Sequence, residues 1–208
     1  MTYKILKRLL DLMGSAILLI FFSPIFVIIS ICIKLTSKGP ILFYQIRLGE
    51  NAKPFRCYKF RTMYIDNDRI YDQEFVKNLI DGKYGKIGEN PTFKLKHDPR
   101  VTPLGRLLRI TSIDELPQLI NILKGEMSLV GPRSSIPYEY EKYQEWHKER
   151  LSVKPGITGL WQVTGRSSTT FDEMVQMDIE YTKTKSFVLD LKILLRTVCI
   201  GLSGKGAY

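Results

Sequence analysis

The chain has 208 residues, 44% of them hydrophobic, which is enough for one core with one appendage. Its formal net charge of +10 is concentrated at the ends, with +4 in residues 1–40, +4 in residues 183–208 and only +2 between them. Both basic ends are also apolar, which favours an anionic membrane surface over a nucleic-acid groove; three scattered cysteines and the isolated His97 and His147 argue against a zinc or iron centre and a disulfide framework.

The first eleven residues read as a basic helix, with Lys4, Lys7 and Arg8 among Ile5, Leu6, Leu9 and Leu10. From Leu12 to Ile33 there are 22 residues without a charge. As a straight helix, such a run reaches about 33 Å, enough to cross a bilayer core. It is too long for a signal peptide, and no small-residue cleavage site follows it. Ser23-Pro24 interrupts the run. Proline removes a helical hydrogen bond, and the serine hydroxyl can take up the freed carbonyl. Lys34 and Lys38 make the second flank basic too, so charge bias gives no orientation. Two readings stand. One is a kinked span. The other is a re-entrant helical hairpin that turns back at Pro24 and leaves both ends in the cytoplasm.

After Gly39-Pro40 the composition changes. Apolar, aromatic runs flank residues 49–54 and predict a β-hairpin. Alternation in its second strand puts Lys59 and Arg61 on one face, where two cations can grip a phosphate or simply meet solvent. Residues 65–98 are polar, with a short predicted helix around Tyr71 to Ile80 and a loop after Gly82. Leu104, Leu107 and Leu108 with Arg106 and Arg109 form an amphipathic basic segment suited to anionic lipid.

Thr111 to Gly125 is the stretch around which the chain is organised. Asp114 and Glu115 stand side by side at a predicted helix start, followed by Leu116, Leu119, Ile120 and Leu123 at helical period. Arg100, Arg106 and Arg109 lie just upstream. A carboxylate pair beside cations can serve phosphoryl chemistry, one acid attacking or binding metal while the cations hold phosphate. The same residues also read as a capping box, Ser112 with Glu115, whose acids suit the helix dipole. Pro117 resists that reading, because it would crowd the first turns of a helix capped by Ser112. Either the helix kinks there, or it begins near Pro117 and the acids sit on a turn ahead of it.

Arg133 follows on a Gly-Pro turn, and residues 136–150 read as a surface helix ending near Arg150. Gly156, Gly159 and Gly165 then surround Trp161 and Arg166. Glycines let a backbone approach a ligand, an aromatic ring can stack on a base, and arginine can pair with phosphate. A tight loop around a buried tryptophan is the plainer reading. Neither a Walker loop nor a dinucleotide fingerprint is present. Phe171 to Tyr181 predicts an amphipathic helix, and Phe187 to Leu202 an apolar one with a basic stripe, lying on a bilayer surface.

Taken in order, Tyr58-Lys59-Phe60-Arg61-Thr62-Met63, Asp98-Pro99-Arg100, Leu104-Gly105-Arg106, Ser112 through Leu119, Gly131-Pro132-Arg133 and Lys154 through Gly159 resemble the motifs of the monotopic phosphoglycosyl transferases, a family of bacterial sugar transferases. The resemblance covers nearly the whole chain. It implies a mainly α fold with a small β-hairpin. A re-entrant membrane helix would occupy residues 1–38, broken at Ser23-Pro24. A catalytic domain with membrane-surface helices would occupy residues 39–208, on the cytoplasmic face of the bacterial cytoplasmic membrane. The implied reaction moves a sugar-1-phosphate from a UDP-sugar to undecaprenyl phosphate through an aspartyl-phosphosugar intermediate. It opens assembly of a capsule, exopolysaccharide, O antigen or other glycan.

By the same resemblance Asp114 is the nucleophile and Glu115 its acidic partner, the two binding Mg2+. The expected substrate contacts are Lys59, Arg61, Arg109, Arg133, Gly156, Gly159, Trp161 and Arg166, with Arg109 nearest the lipid phosphate. The implied partners are UDP-sugar, undecaprenyl phosphate and membrane lipids, with no nucleic acid; a homodimer is left open. Ser134 stands where the family often has proline. Longer relatives carry an N-terminal membrane bundle and a further soluble domain, so the chain resembles the minimal catalytic unit. Residues 159–163 and the Gly206-Ala207-Tyr208 ending lean toward galactose or glucose over N-acetylated sugars. The rival reading is a membrane-anchored, anionic-lipid-binding or scaffold protein without catalysis, its acids acting as caps.

Overall fold

In the computed structural model, which describes residues 2–64, 98–165 and 169–203, one helix, α1, runs Thr2–Thr36 without interruption. Ser23 Oγ donates to the Ile20 carbonyl at 2.8 Å. That carbonyl lies four residues before Pro24, whose missing N–H would have bonded it. The serine therefore does what the sequence suggests. The outcome is one continuous helix rather than two arms joined by a turn. Its most apolar 18-residue window has a mean hydropathy of 2.9, and the helix is long enough to cross a membrane.

Along α1 large apolar residues stand exposed at Ile5, Leu9, Met13, Ile17, Phe21, Ile28, Ile31 and Leu35. Spacings of mostly three or four mark one face of a helix. The opposite face packs on the rest of the chain. Leu10, Leu18 and Leu19 join Phe55, Leu119, Ile122 and Leu129, while Ile25, Phe26, Ile29 and Ile33 join Phe60, Leu104 and Leu108. Polar contacts hold both ends to the same body. Lys7 Nζ donates to the Val130 carbonyl (2.8 Å) and to Asp190 Oδ2 (3.0 Å). Arg8 donates to the carbonyls of Ile122 (2.7 Å) and Leu123 (2.9 Å). Just beyond the other end, the Ser37 carbonyl accepts from Arg61 Nη2 at 2.8 Å. Lys7 and Arg8 thus bind protein, which the charge pattern alone did not show.

The predicted hairpin is present. β1 (Leu42–Leu48) and β2 (Pro54–Phe60) pair antiparallel, with Tyr44 opposite Tyr58. Helix α2 (Pro103–Ile110) is capped by Thr102, whose Oγ1 accepts from Gly105 N at 2.8 Å. A 3-10 turn (Ile113–Glu115) leads to α3 (Gln118–Lys124), which ends at Gly125 with φ 82°. β3 (Ser128–Val130) pairs in parallel with β4 (Gly156–Thr158). Between them the expected surface helix is instead a short helix, α4 (Pro137–Tyr140), and a 3-10 segment (Glu145–Ser152). Arg150 is buried there rather than at a surface, ion-paired to Asp178.

After β4 come α5 (Leu160–Thr164), α6 (Phe171–Thr184) and α7 (Phe187–Ser203), the last two where the sequence predicts helices. Thr170 and Glu173 form a capping box at the start of α6. On α7, Asp190 and Ile193 face inward, while Val188, Leu191, Leu195 and Val198 form the outer, apolar face. The helix predicted around Tyr71 to Ile80, His97 and the residues 206–208 lie outside the described residues.

Candidate active site

The turn carrying the two acids is not a helix cap. Ser112 sits in the left-handed region (φ 57°, ψ 15°) and makes no side-chain capping bond. Helix α3 starts only at Gln118, with Pro117 as its N-cap. Proline is tolerated at a helix start because its missing N–H would be unpaired there anyway. Asp114 and Glu115 therefore sit on a short turn ahead of the helix, the second of the two arrangements open to the sequence. Asp114 is 5% exposed. Lys59 Nζ, at the end of β2, donates to Glu115 Oε1 at 2.6 Å. Burial pulls the Lys59 amine down, but the charges of Glu115 and Asp114 more than reverse this, and its pKa lies above the ordinary lysine value. One cation thus offsets two neighbouring carboxylates.

Lys59 and Arg61 do not converge. Arg61 follows the end of β2 and donates through Nη2 to the carbonyl (2.8 Å) and hydroxyl (2.9 Å) of Ser37, where α1 ends. Arg109 reaches the next residue, its Nε donating to Thr62 Oγ1 at 3.0 Å. Helix α2 can come this close because a Cβ on Gly105 would lie 2.1 Å from the Thr62 carbonyl oxygen. Arg100 is ion-paired with Asp98 at 2.6 Å.

Arg133 is gripped by its backbone. Its N–H donates to Asp178 Oδ2 at 3.3 Å, and its carbonyl accepts from Arg150 Nη2 at 3.1 Å. The adjoining Ser134 carbonyl accepts from Arg47 at 2.8 Å. The nearby glycines serve this loop. A Cβ on Gly156 would lie 2.1 Å from Gly131 N, and one on Gly159 would lie 2.2 Å from the Gly131 carbonyl oxygen. Their missing side chains let two backbones approach each other. Trp161 packs with Tyr143, Phe171, Met174, Val175 and Ile179, and its Nε1 donates to Thr169 Oγ1 at 2.8 Å. The tryptophan is buried, as in the plainer reading, but on the short helix α5 rather than in a loop. Arg166 lies outside the described residues.

Three residues that position this region escape the sequence reading: Asn121, Arg150 and Asp178. For Asn121 the available signal is a lone amide between Ile120 and Ile122 in an apolar run. For the metal, no group of three or more His, Cys, Asp or Glu residues occurs among the described residues. Magnesium needs fewer, since it is commonly held by one or two carboxylates with phosphates and water completing its shell. The adjacent Asp114 and Glu115 fit that requirement.

Residues 2–204 match the family described as bacterial sugar transferase. The chain is 44% identical over 207 residues to the galactosyl transferase CpsE of Streptococcus agalactiae serotype III, a match covering 99% of this chain and 44% of that protein. It is 42% identical over 207 residues to the undecaprenyl-phosphate galactose phosphotransferase of Salmonella typhimurium, covering 99% of this chain and 42% of that one. It is 38% identical over 202 residues to the exopolysaccharide production protein ExoY of Rhizobium meliloti, covering 97% and 88% respectively. The chain spans less than half the length of the first two relatives. With its motifs in order and the match running from residue 2 to residue 204, the protein belongs to the bacterial sugar transferase family.

Proposed function

We propose that this protein transfers a hexose-1-phosphate from a UDP-sugar to undecaprenyl phosphate at the cytoplasmic face of a bacterial membrane, the first membrane step of a polysaccharide pathway. The observation that carries this reading is the acid turn: Asp114 is buried ahead of α3, and Glu115 is held by Lys59 at 2.6 Å, with neither acid spent in the predicted capping box. The names of the relatives, a galactosyl transferase and an undecaprenyl-phosphate galactose phosphotransferase, support undecaprenyl phosphate as the acceptor and favour galactose over an N-acetylated sugar. The outward stripe of α1 and the outer face of α7 support a bilayer on one side of the molecule. Both ends of α1 are tied to the same folded body, which supports an anchor in residues 1–38 whose two ends stay on one face of the membrane.

In this mechanism Asp114 attacks the phosphorus that bears the sugar. The bond from that phosphorus to UMP breaks, UMP leaves with the bonding pair, and an aspartyl phosphosugar forms. An oxygen of undecaprenyl phosphate then attacks the same phosphorus, and the Asp114 carboxylate leaves. Two displacements thereby replace one direct meeting of two anions. Low exposure of Asp114 keeps water from the acyl phosphate. Lys59 holds Glu115 in place and lowers the negative charge that an incoming pyrophosphate meets. Arg109, on the amphipathic helix α2 that packs against α1, receives the lipid phosphate. When bound by Asp114 and Glu115, Mg2+ supplies further charge neutralisation at the pyrophosphate.

The test is a screen of UDP-sugars for UMP release in lipid nanodiscs. Release beyond one equivalent that requires Mg2+ and undecaprenyl phosphate, greatest with UDP-galactose or UDP-glucose, is expected. No release from any UDP-sugar contradicts the proposal.

A further inference from the structure

Asn121 sits in the middle of α3 with 0% exposure, where the neighbouring Ile122 and Leu119 are core residues. Asparagine is a poor helix former, and a buried amide is costly unless its hydrogen bonds are made. Here they are made, all three to groups outside the helix. Asn121 Oδ1 accepts from Tyr58 N at 3.0 Å, and Nδ2 donates to the Arg56 carbonyl at 2.7 Å and to Glu126 Oε2 at 2.7 Å. An N–H and a carbonyl two residues apart on one strand edge are what a neighbouring parallel strand would engage. The side chain of Asn121 therefore stands in for a third strand at the edge of β2 away from β1.

We propose that Asn121 is the positioning residue that sets the contact between Lys59 and Glu115. It grips β2 at the residue next to Lys59, and it belongs to the helix that follows directly from the Asp114–Glu115 turn. Apart from an exposed hydrogen bond from Lys124 Nζ to Tyr58 Oη at 3.0 Å, carried by two flexible side-chain tips, the other packing between β2 and α3 is apolar, through Phe55 and Cys57 against Leu119 and Ile122. Apolar contact is non-directional and sets no register. Side chains alternate along a strand, so a slip of one residue would turn Lys59 to the opposite face of the hairpin. The directional bonds of Asn121 oppose that slip. The catalytic importance of the contact rests on the proposed function; the contact itself does not.

The experiment compares Asn121→Asp and Asn121→Ala with wild type, as full chains in nanodiscs. Asn121→Asp keeps the shape and the acceptor for Tyr58 N but sets an oxygen against the Arg56 carbonyl. The first readout is the rate at which an amine-acylating reagent labels each lysine, read by peptide mass. Lys59 should label several-fold faster in both variants, with Lys154 and Lys192 unchanged. The second is UMP release in wild-type and Lys59→Met backgrounds. Substitution of Asn121 should lower kcat by about tenfold or more in the first background, as expected for a small misplacement of a catalytic group. It should add little in the second, because both changes remove one contact. Unchanged Lys59 labelling, a uniform rise at all lysines, or an equal loss of activity in both backgrounds overturns the proposal. If no UDP-sugar releases UMP, the functional reading fails and Lys59 labelling alone decides the role of Asn121.

Discussion

Arg150→Met should be among the most damaging single changes outside the acid turn. Arg150 and Asp178 form a fully buried ion pair, with side-chain exposures of 1% and 0%. Arg150 also donates to Tyr143 Oη at 3.2 Å and to the Arg133 carbonyl at 3.1 Å. Removing one partner of such a pair typically costs about 3–5 kcal/mol, because the other charge is left buried. That is a fifth or more of the roughly 5–15 kcal/mol that holds a typical protein folded. The loss should depend on pH. Burial already pushes the Asp178 carboxyl upward, and Arg150 opposes that push. Without Arg150 the folded-state pKa rises further above the unfolded value, so the folded state binds the extra proton. Stability of Arg150→Met should then fall as pH rises from about 4 toward that folded pKa, by up to about 1.4 kcal/mol per pH unit. Arg150→Met/Asp178→Leu removes both charges and should recover much of the lost stability. It should not recover activity, because the backbone of Arg133 has lost both of its charged partners. Urea unfolding in detergent between pH 5 and 8, with UMP release in parallel, tests this. A single-variant cost below about 1 kcal/mol, within the range of ordinary surface substitutions, or a double variant no more stable than the single one, refutes the reasoning.

Asp114→Asn should fold and bind membrane but lose turnover by many orders of magnitude, as loss of a covalent nucleophile does. Glu115→Gln should be severely impaired, and near-wild-type UMP release from it would return Glu115 to a structural role. The raised pKa of Lys59 means that its contribution to stability is fully present below the unfolded lysine value of about 10.4 and is lost as pH rises through the folded one. The unfolding free-energy difference between wild type and Lys59→Met should accordingly stay constant from pH 7 to about 10. A decline already at pH 8 would show the opposite shift. Thr2→Cys and Lys38→Cys, in a background lacking Cys32, Cys57 and Cys199, should both resist an impermeant thiol reagent in intact cells and react once the membrane is opened. Labelling of the residue-2 site from outside would establish a span.

Much of the fold was legible because its determinants are local. The hairpin follows from alternating apolar runs about a turn, and α6 and α7 follow from helical periodicity. Ser23 and Pro24 are adjacent, so the rescue of the Ile20 carbonyl could be read from two letters. Pro117 likewise narrowed the acid stretch to two arrangements, a kinked helix or acids ahead of α3, and the second is found. What escaped depends on partners distant in sequence. Arg150 reads as a surface residue until Asp178, from α6, is brought against it. Gly156 and Gly159 read as ligand-facing until Gly131 occupies the space a Cβ would need. Lys7 and Arg8 read as headgroup contacts until Asp190 and the end of α3 meet them. Lys59 and Arg61 have the spacing of a pair, yet the strand ends between them, and they reach different elements.

The central claim is that Asp114 forms a covalent bond to the transferred group. Protein in nanodiscs would be mixed with a UDP-sugar and Mg2+ in the absence of lipid acceptor, quenched in acid, and examined by intact mass and peptide mapping. The expected result is one phosphosugar per chain, located on Asp114, with one equivalent of UMP released. Addition of undecaprenyl phosphate should then discharge the adduct to the lipid-linked product. An adduct on another residue, or UMP release that requires both substrates together with no adduct at any time, would contradict the account.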